Sequence, residues 1–249
     1  MTADPAPRVL VTGASRNLGA AIAHRFARDG ATVAVTGHRD VEALHRVRDD
    51  LPGPGQHVAL VADLADPDAT ADLAAEAEAR LGGIDVLVHN AGPFSGTPFL
   101  RLPTEEWRRT MDANLTAAMV LSRELAPGMI ARGRGRIVTL AAGSSEIRDH
   151  ATYGVAKAAL RVLTESLALE LGPQVTVNAV SPGQIAESAP EAAAIDPDFV
   201  ERALARTATG RLVTRAEVAA LVAALVSPTF DAVTGVVLPI DGGWRLNRS

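Results

Sequence analysis

The chain has 249 residues, of which 47% are hydrophobic and 21% are charged, with 24 basic side chains, 29 acidic side chains and no cysteine. The net charge of −5 (24 − 29) argues against a broad surface for nucleic acid or an anionic membrane, and the lack of cysteine excludes disulfides, thiolate zinc sites and a cysteine nucleophile. No signal-peptide pattern opens the chain and no run of about 18 apolar residues occurs. We therefore expect a cytoplasmic protein with no nucleic-acid, membrane or metal partner.

Apolar runs alternate with helical patterns along the whole chain. The predicted strands are Arg8–Thr12, Thr32–Thr36, His57–Ala62, Ile84–His89, Arg136–Ala141, Val175–Ala179 and Val236–Pro239. The predicted helices are Leu18–Asp29, Val41–Asp50, Pro67–Leu81, a long one within Thr104–Ala131, Thr152–Leu171, and two near Pro197–Arg206 and Arg215–Val226. Strands that are apolar throughout indicate a parallel sheet covered on both faces, and their alternation with helices predicts a doubly wound α/β fold. We expect one domain over residues 1–249, with a substrate loop at about residues 181–205.

A glycine-containing turn joins the first strand to the first helix, with the sequence TGASRNLG at Thr12–Gly19. Glycine lets the backbone approach a pyrophosphate, and the helix N-terminus offers unpaired N–H groups. Asn17 stands where such loops have their middle glycine, and Asn tolerates a positive φ better than most residues. A simple strand–helix turn that needs only small residues is the alternative.

The only tyrosine, Tyr153, and the only lysine, Lys157, are four residues apart on one predicted helix face, in a chain with 23 arginines. A phenol with a pKa of about 10 is a poor acid–base group at neutral pH, and a nearby ammonium lowers that pKa. The pair indicates a proton donor for carbonyl reduction. The alternative is a pair on one helix face with no chemical role. In that case the only tyrosine and the only lysine would lie together by chance.

These motifs resemble those of the short-chain dehydrogenases/reductases. The resemblance rests on Thr12–Gly19, on Asp63-Leu64 and Asn90-Ala91-Gly92 after strands three and four, on Asn114, and on Tyr153-x-x-x-Lys157, Ser181-Pro182-Gly183 and Asp241-Gly242-Gly243. It covers nearly the whole chain. It implies a Rossmann-type domain with a seven-stranded parallel sheet, assembled as a homotetramer or homodimer.

The resemblance also implies a set of cofactor-binding residues. Asp63 and Leu64 would border the adenine, although Asp63 could equally cap the next segment. Asn90, Ala91 and Gly92 would pass close to the adenosine ribose, and Asn114 would bend its helix and hold a water of the proton relay, unless it is simply a buried, satisfied Asn. The full predicted set is Gly13, Ser15, Arg16, Asn17, Leu18, Gly19, His38, Arg39, Asp63, Leu64, Asn90, Ala91, Gly92, Tyr153, Lys157, Pro182, Gly183 and Ile185.

The end of the second strand favours NADP(H) over NAD(H). Gly37 stands where an enzyme preferring the unphosphorylated cofactor has an acid, and His38 and Arg39 follow. A guanidinium binds a 2′-phosphate, and Arg16 adds a second cation nearby. Both arginines could instead be ordinary solvated side chains.

The serine that the family places about thirteen residues before the tyrosine is displaced. Strand alignment puts Ala142 there and counting back from Tyr153 lands on Leu140, whereas Ser144 and Ser145 follow immediately. We predict that a shortened loop brings Ser144 to the substrate carbonyl; Thr139, Ser145 or a backbone N–H are alternatives, and so are two loop serines with no catalytic part. Glu187 likewise replaces the small hydroxyl residue expected near the nicotinamide amide, so Ser188 could substitute for it.

The sequence therefore predicts an NADPH-dependent carbonyl reductase, with a 3-oxoacyl thioester or a polyketide-like ketone as the substrate class. A pteridine-reductase-like or alcohol-oxidising enzyme is an alternative within the family. A nucleotide-sensing or scaffolding protein that kept the fold and lost the chemistry is the alternative from another class.

Overall fold

The computed structural model describes residues 6–142 and 151–246. Its strands are β1 (Arg8–Val11), β2 (Thr32–Gly37), β3 (Val58–Val61), β4 (Val86–His89), β5 (Gly135–Leu140), β6 (Val175–Pro182) and β7 (Val237–Ile240). Its α-helices are α1 (Asn17–Arg28), α2 (Val41–Asp50), α3 (Pro67–Leu81), α4 (Thr104–Met111), α5 (Ala117–Ala131), α6 (Ala151–Leu171), α7 (Ala189–Ile195), α8 (Phe199–Arg206) and α9 (Arg215–Leu225). The expected seven-stranded doubly wound α/β fold is confirmed.

All seven strands pair in parallel, in the order β3-β2-β1-β4-β5-β6-β7. The chain moves outward from β1 to β3 on one side and then crosses back to β4 on the other side of β1. Between β1 and β4 the two halves diverge, which opens a crevice at the carboxyl ends of these strands. That crevice is the expected place for a ligand in an open parallel sheet.

Successive residues of β1 point to opposite faces of the sheet and feed two separate cores. Val9 and Val11 join the side covered by α1 and α9, with Ile22 and Val222, while Leu10 joins the side covered by α3 and α5. Because both faces are covered, the central strands are apolar throughout.

The predicted helices form where their end signals occur. Asp40 accepts a hydrogen bond from Ala43 N at the start of α2, and Asp66 caps α3 directly before Pro67. Thr214 and Glu217 form a capping box at the start of α9, in which the side chain of each accepts a hydrogen bond from the backbone N–H of the other.

Two expectations about the elements need correction. The long helix within Thr104–Ala131 is interrupted by a π-helical turn at Asp112–Thr116. The segment expected to be a substrate loop, at about residues 181–205, is largely ordered into secondary structure. At its start β6 continues through Pro182, and the short helix α7 follows. Parallel pairing with β7 extends β6, because Ser181 and Pro182 lie opposite Pro239 and Ile240.

None of the helices that the structure describes is long and apolar enough to cross a membrane.

Candidate active site

A cleft of about 560 Å³ lies at the carboxyl ends of β1, β2 and β4, where the strand order reverses. It opens beside a smaller cavity of about 300 Å³ that reaches the ends of β5 and β6. Three residues, Leu18, Asn90 and Gly92, line both spaces. The large cleft and the small cavity therefore form two compartments with a shared wall.

All of the predicted cofactor residues line one or both compartments. The large cleft has Gly13, Ser15, Arg16, Asn17, Leu18, Gly19, His38, Arg39, Asp63, Leu64, Asn90, Ala91 and Gly92 in its walls. The small cavity has Tyr153, Lys157, Pro182, Gly183 and Ile185. The fold thus gathers into one place residues that are spread over 173 positions of the chain (185 − 12), from Gly13 to Ile185 inclusive.

The glycine loop follows β1 with the close backbone contacts that its sequence predicts. A Cβ added at Gly13, whose φ is +64°, would lie 2.8 Å from Ala91 Cα. Asn17 adopts a φ of +54°, so the residue in place of the middle glycine does take the left-handed conformation. The first turn of α1 carries no acidic residue and Arg16 makes no side-chain cap, which leaves this helix N-terminus suited to an anion.

Thr12 and Asn90 tie the glycine loop to the loop after β4. The Thr12 hydroxyl oxygen accepts from Asn90 N at 3.1 Å and from Ala91 N at 3.0 Å. The Asn90 amide donates in return to the carbonyls of Thr12 and Gly13, at 3.0 Å and 3.1 Å. Asn90 therefore fixes the loop that borders both compartments.

Asp63 lies in the wall of the large cleft, where Arg109 and His38 face it. Arg109 Nη2 is 3.0 Å from Asp63 Oδ2, and His38 Nδ1 is 3.5 Å from Oδ1. Burial alone would raise the pKa of Asp63, but hydrogen bonds from Ala65 N and Arg109 and the charge of Arg109 hold it below its usual value. Sequence reasoning missed Arg109 here, because its 46-residue separation from Asp63 leaves no local pattern.

Tyr153 and Lys157 share one face of α6 at the wall of the small cavity. Lys157 Nζ lies 5.5 Å from the centre of the Tyr153 ring and donates to the Leu140 carbonyl at 2.7 Å. Only 2% of Lys157 is exposed, and this burial lowers its pKa to about 8. The Phe94 ring packs against Tyr153 from the cavity side, with the ring centres 5.4 Å apart.

Asn114 lies in the π-helical turn between α4 and α5. Its side-chain nitrogen donates to the carbonyls of Pro93 at 3.1 Å and Thr110 at 2.9 Å, while its Oδ1 is buried without a hydrogen-bond partner in the described part of the chain. A Cβ added at Gly92 would lie 2.0 Å from that Oδ1. Glycine at position 92 is therefore required by the side chain of Asn114.

The end of β5 brings buried, apolar residues to the small cavity. Leu140, Ala141 and Ala142 line it and are nearly inaccessible. Ser144 and Ser145 lie outside the described residues. The Thr139 hydroxyl, which was one alternative for polarising a substrate carbonyl, is buried 3.0 Å from the Thr164 hydroxyl and does not line the cavity. That alternative is wrong, because alternation along the strand turns residue 139 toward α6.

The segment after β6 closes the other side of the small cavity. Gln184, Ile185 and Ser188 line it, whereas both carboxylate oxygens of Glu187 accept from Arg215 N at 3.1 Å. Glu187 thus anchors the segment to the start of α9, and the Ser188 hydroxyl at the cavity wall accepts from Arg215 Nη2 at 3.3 Å.

No group of three or more His, Asp or Glu side chains in the described ranges is arranged to hold a metal ion.

Comparison with known proteins agrees with this geometry. The family model described as enoyl-(acyl carrier protein) reductase matches residues 13–245. The chain is 35% identical over 237 residues to the 3-oxoacyl-(acyl-carrier-protein) reductase of Vibrio cholerae, covering 94% of this chain and 95% of that protein. It is 33% identical over 240 residues to the gluconate 5-dehydrogenase of Gluconobacter oxydans, covering 95% and 93%.

A solved structure extends the likeness to three dimensions. The chain matches a variant of the actinorhodin polyketide ketoreductase, crystallised with NADPH, with a TM-score of 0.88 and 30% identity, covering 99% of this chain and all of that one. The chain therefore belongs to the short-chain dehydrogenase/reductase family. Its members are oxidoreductases that act on alcohol or ketone groups with a nicotinamide cofactor.

Proposed function

We propose that this protein is an NADPH-dependent reductase that converts a ketone to an alcohol, with Tyr153 as the proton donor. The observation that carries the proposal is the shared wall of the two compartments. Asn90 and Gly92 border both the large cleft and the small cavity that contains Tyr153 and Lys157. A dinucleotide in the cleft would therefore end beside the one tyrosine of the chain.

The large cleft fits a dinucleotide by its backbone. The close packing of Gly13 on Ala91 brings the backbone of the glycine loop to the wall of the cleft, and the N-terminus of α1 adds its positive end. The residues proposed to hold the cofactor are the thirteen in the walls of the large cleft, together with Tyr153, Lys157, Pro182, Gly183 and Ile185 of the small cavity. When bound, the reduced nicotinamide supplies the hydride.

Charges at the adenosine end support NADPH rather than NADH. Arg16 and Arg39 are exposed at the cleft, and no ion pair engages either one among residues 6–142 and 151–246. The two carboxylates nearby are occupied, since Asp63 pairs with Arg109 and Asp40 caps α2. A 2′-phosphate would meet free guanidinium groups there and little repulsion.

The chain's own groups account for the proton transfer. The Lys157 ammonium, held by the Leu140 carbonyl, stabilises negative charge on the Tyr153 oxygen as its proton moves to the substrate oxygen. Asn114 holds the loop after β4 against the π-turn through its bond to the Pro93 carbonyl. We propose Tyr153, Lys157, Asn114 and Ser144 as the catalytic set.

Ser144 is proposed to polarise the substrate carbonyl. The support is indirect: Ala142 brings no hydroxyl to the cavity, and Thr139 is turned away from it. Ser144→Ala would then lower kcat by about tenfold to a thousandfold with little change in NADPH affinity. The opposite result, no effect of Ser144→Ala together with higher activity of Ala142→Ser, would remove Ser144 from the catalytic set.

The proposed substrates are 3-oxoacyl thioesters or polyketide-like ketones. The similar reductase of Vibrio cholerae and the actinorhodin polyketide ketoreductase are named for such substrates. Phe94, Leu140 and Ile185 give the small cavity apolar walls that would suit them. The likeness to gluconate 5-dehydrogenase makes oxidation of a sugar acid the second candidate reaction.

The decisive experiment follows NADPH absorbance while the purified protein is offered a panel of 3-oxoacyl thioesters and cyclic ketones. We expect turnover that Tyr153→Phe nearly abolishes, with NADPH binding preserved, since only the hydroxyl is lost. A second panel, of gluconate and other polyhydroxy compounds offered together with NADP⁺, tests the oxidation reaction. Tight NADPH binding without turnover of any substrate would favour a sensor or scaffold and would contradict the proposal.

We also propose that residues 1–249 act as one dinucleotide-binding and catalytic domain, and that the chain forms a homotetramer or homodimer. Members of the family are often oligomeric. Exposed apolar side chains along α6 support an interface between copies.

A further inference from the structure

His89 ends β4 and is completely buried. It directly precedes Asn90, yet it lines neither the large cleft nor the small cavity. Its Nδ1 lies 3.4 Å from the Thr12 hydroxyl, and its Nε2 lies 3.3 Å from the main-chain carbonyl oxygen of Asn114. One ring therefore contacts both the start of the glycine loop and the π-turn.

The bonding of Thr12 decides which nitrogen of His89 carries the proton. The Thr12 oxygen already accepts two N–H groups, from Asn90 and from Ala91. A hydroxyl has two lone pairs and one proton, so the Thr12 proton is left to point at His89 Nδ1. That nitrogen is then the acceptor, and the ring proton is on Nε2, which donates it to the Asn114 carbonyl.

A doubly protonated ring does not fit this environment. It would direct a second N–H at the Thr12 oxygen, which has no lone pair left to accept it. Burial and the nearby charge of Lys157 lower the pKa of His89 to about 3. The ring is therefore neutral at physiological pH.

We infer that His89, as the neutral Nε2–H tautomer, is a positioning residue that joins the cofactor loops to the π-turn carrying Asn114. The inference rests on the proposed reductase function. Through Thr12, the ring is linked to the two N–H groups of the loop after β4, and through Nε2 it holds the Asn114 backbone. A rigid ring between them keeps the relative position of the cofactor cleft and the Asn114 turn constant, which near-attack geometry requires.

Two substitutions separate the two contacts of the ring. The amide of His89→Asn reaches about as far as Nδ1, so its oxygen can accept from Thr12 but its nitrogen stops short of Asn114. The amide nitrogen of His89→Gln reaches about as far as Nε2 and can still donate to the Asn114 carbonyl. We expect His89→Asn to lower kcat by about tenfold to a hundredfold, with the Kd for NADPH within about twofold of wild type. His89→Gln should recover kcat to within about threefold of wild type.

A role limited to packing predicts a different result. Both variants would then lose kcat in parallel with their melting temperatures, and glutamine would give no recovery. That result, or wild-type kcat in both variants, would overturn the inference.

The tautomer is measured without any substrate, by NMR of the protein labelled with ¹⁵N-histidine. We expect the imidazole signal that is missing from the His89→Gln spectrum to have the Nε2–H pattern and to stay unchanged from about pH 5 to pH 8. An Nδ1–H pattern, or titration near the ordinary pKa, would overturn the assignment. Should the wild type reduce no ketone, the proposed function fails, whereas this spectrum still decides whether His89 forms the bridge.

Discussion

Arg39 and Arg16 line one end of the large cleft, on the loops after β2 and β1. Gly37, the last residue of β2, contributes no carboxylate, so this corner of the cleft is dominated by cations. Arg109 also lies here, but it pairs with Asp63. At the scale of single residues, the proposed preference for NADPH over NADH depends on which of the two guanidinium groups meets the 2′-phosphate.

Arg39→Asp should weaken NADPH far more than NADH, because it removes a phosphate partner and adds repulsion. Paired charge-assisted contacts correspond to roughly tens- to hundreds-fold in affinity. Titration of the two cofactors by fluorescence measures the ratio. Arg46→Asp is the control, because Arg46 is an exposed arginine of the neighbouring α2 that lies outside the cleft. If the wild type prefers NADH, the proposed role of Arg39 and Arg16 in binding a 2′-phosphate is wrong.

Lys157 is held in an environment that disfavours its charge, so the free energy of unfolding should depend on pH. Its pKa is lowered by burial from 10.5 to about 8, so between these pH values the unfolded chain binds more protons than the folded one. The free energy of unfolding therefore rises with pH in this window, by up to about 3 kcal/mol. Below pH 8 the full cost of burying the ammonium is present.

Lys157→Met removes this contribution. Without cofactor, the difference in unfolding free energy between wild type and variant should shift in favour of wild type as the pH rises from 8 to 10.5. Urea denaturation at several pH values measures it, and the subtraction cancels the titration of all other groups. A difference that stays flat across the window would show that Lys157 is not held in this way.

At the scale of elements, the π-turn at Asp112–Thr116 is the feature on which the two compartments depend. A π-turn adds one residue to a helical turn and is often found at functional sites. Here it turns Asn114 toward the loop after β4, where its amide bonds the Pro93 carbonyl and its Oδ1 lies against Gly92. The helix and the loop therefore fit each other only while residue 92 has no side chain.

Gly92→Ala should push the loop after β4 away from the π-turn. The added Cβ would lie 2.0 Å from Asn114 Oδ1, so either the loop or the π-turn must move. We expect a loss of about 1–3 kcal/mol in stability and a clear loss of NADPH affinity and kcat together. Calorimetry and cofactor titration measure these effects.

Gly30→Ala is the matched control. It replaces another glycine at an open position, with a φ of +92° and no atom within 4 Å of the added Cβ. Its strain should cost about 1 kcal/mol and leave kcat unchanged. Equal effects of the two substitutions on NADPH affinity would contradict the argument from Gly92.

At the scale of the whole molecule, one outer helix carries apolar residues that its own chain does not cover. Val155, Val162 and Leu169 recur every seven residues on α6 and are 38%, 63% and 87% exposed. A spacing of seven residues keeps them on one face, which we define as the α6 stripe. The opposite face of α6 packs on β6 and presents Lys157 to the small cavity, so the α6 stripe and the site lie on opposite faces of one helix.

Leu169→Arg should break the assembly proposed along the α6 stripe. A charge on each copy would face its counterpart across a two-fold interface. Light scattering after size exclusion should give a smaller mass than wild type, with unchanged circular dichroism. Val61→Arg, on the edge strand β3 and 49% exposed, is the control and should keep the wild-type mass. An unchanged mass for Leu169→Arg would exclude the α6 stripe as the interface.

Much of this molecule was predictable from local patterns in the sequence. The alternation of apolar strands and helices predicted a parallel, doubly wound sheet, since buried parallel strands are apolar on both faces. The four-residue spacing of Tyr153 and Lys157 placed them on one helix face, and Asn17 was expected to take a positive φ. Each of these depends on a few neighbouring residues and on backbone geometry, which a sequence states directly.

Only the tertiary structure decided which distant side chains meet. The pairing of Arg109 with Asp63, the turning of Thr139 toward Thr164 and the bridge of His89 between Thr12 and Asn114 join residues 25 to 77 positions apart. Nothing in the local pattern fixes these contacts, because they follow from the order of strands in the sheet and from the extra residue of the π-turn. The sequence by itself determined the elements and the chemistry available to this protein, whereas the crossing from β3 to β4 and the packing of helices on the sheet decided where that chemistry converges.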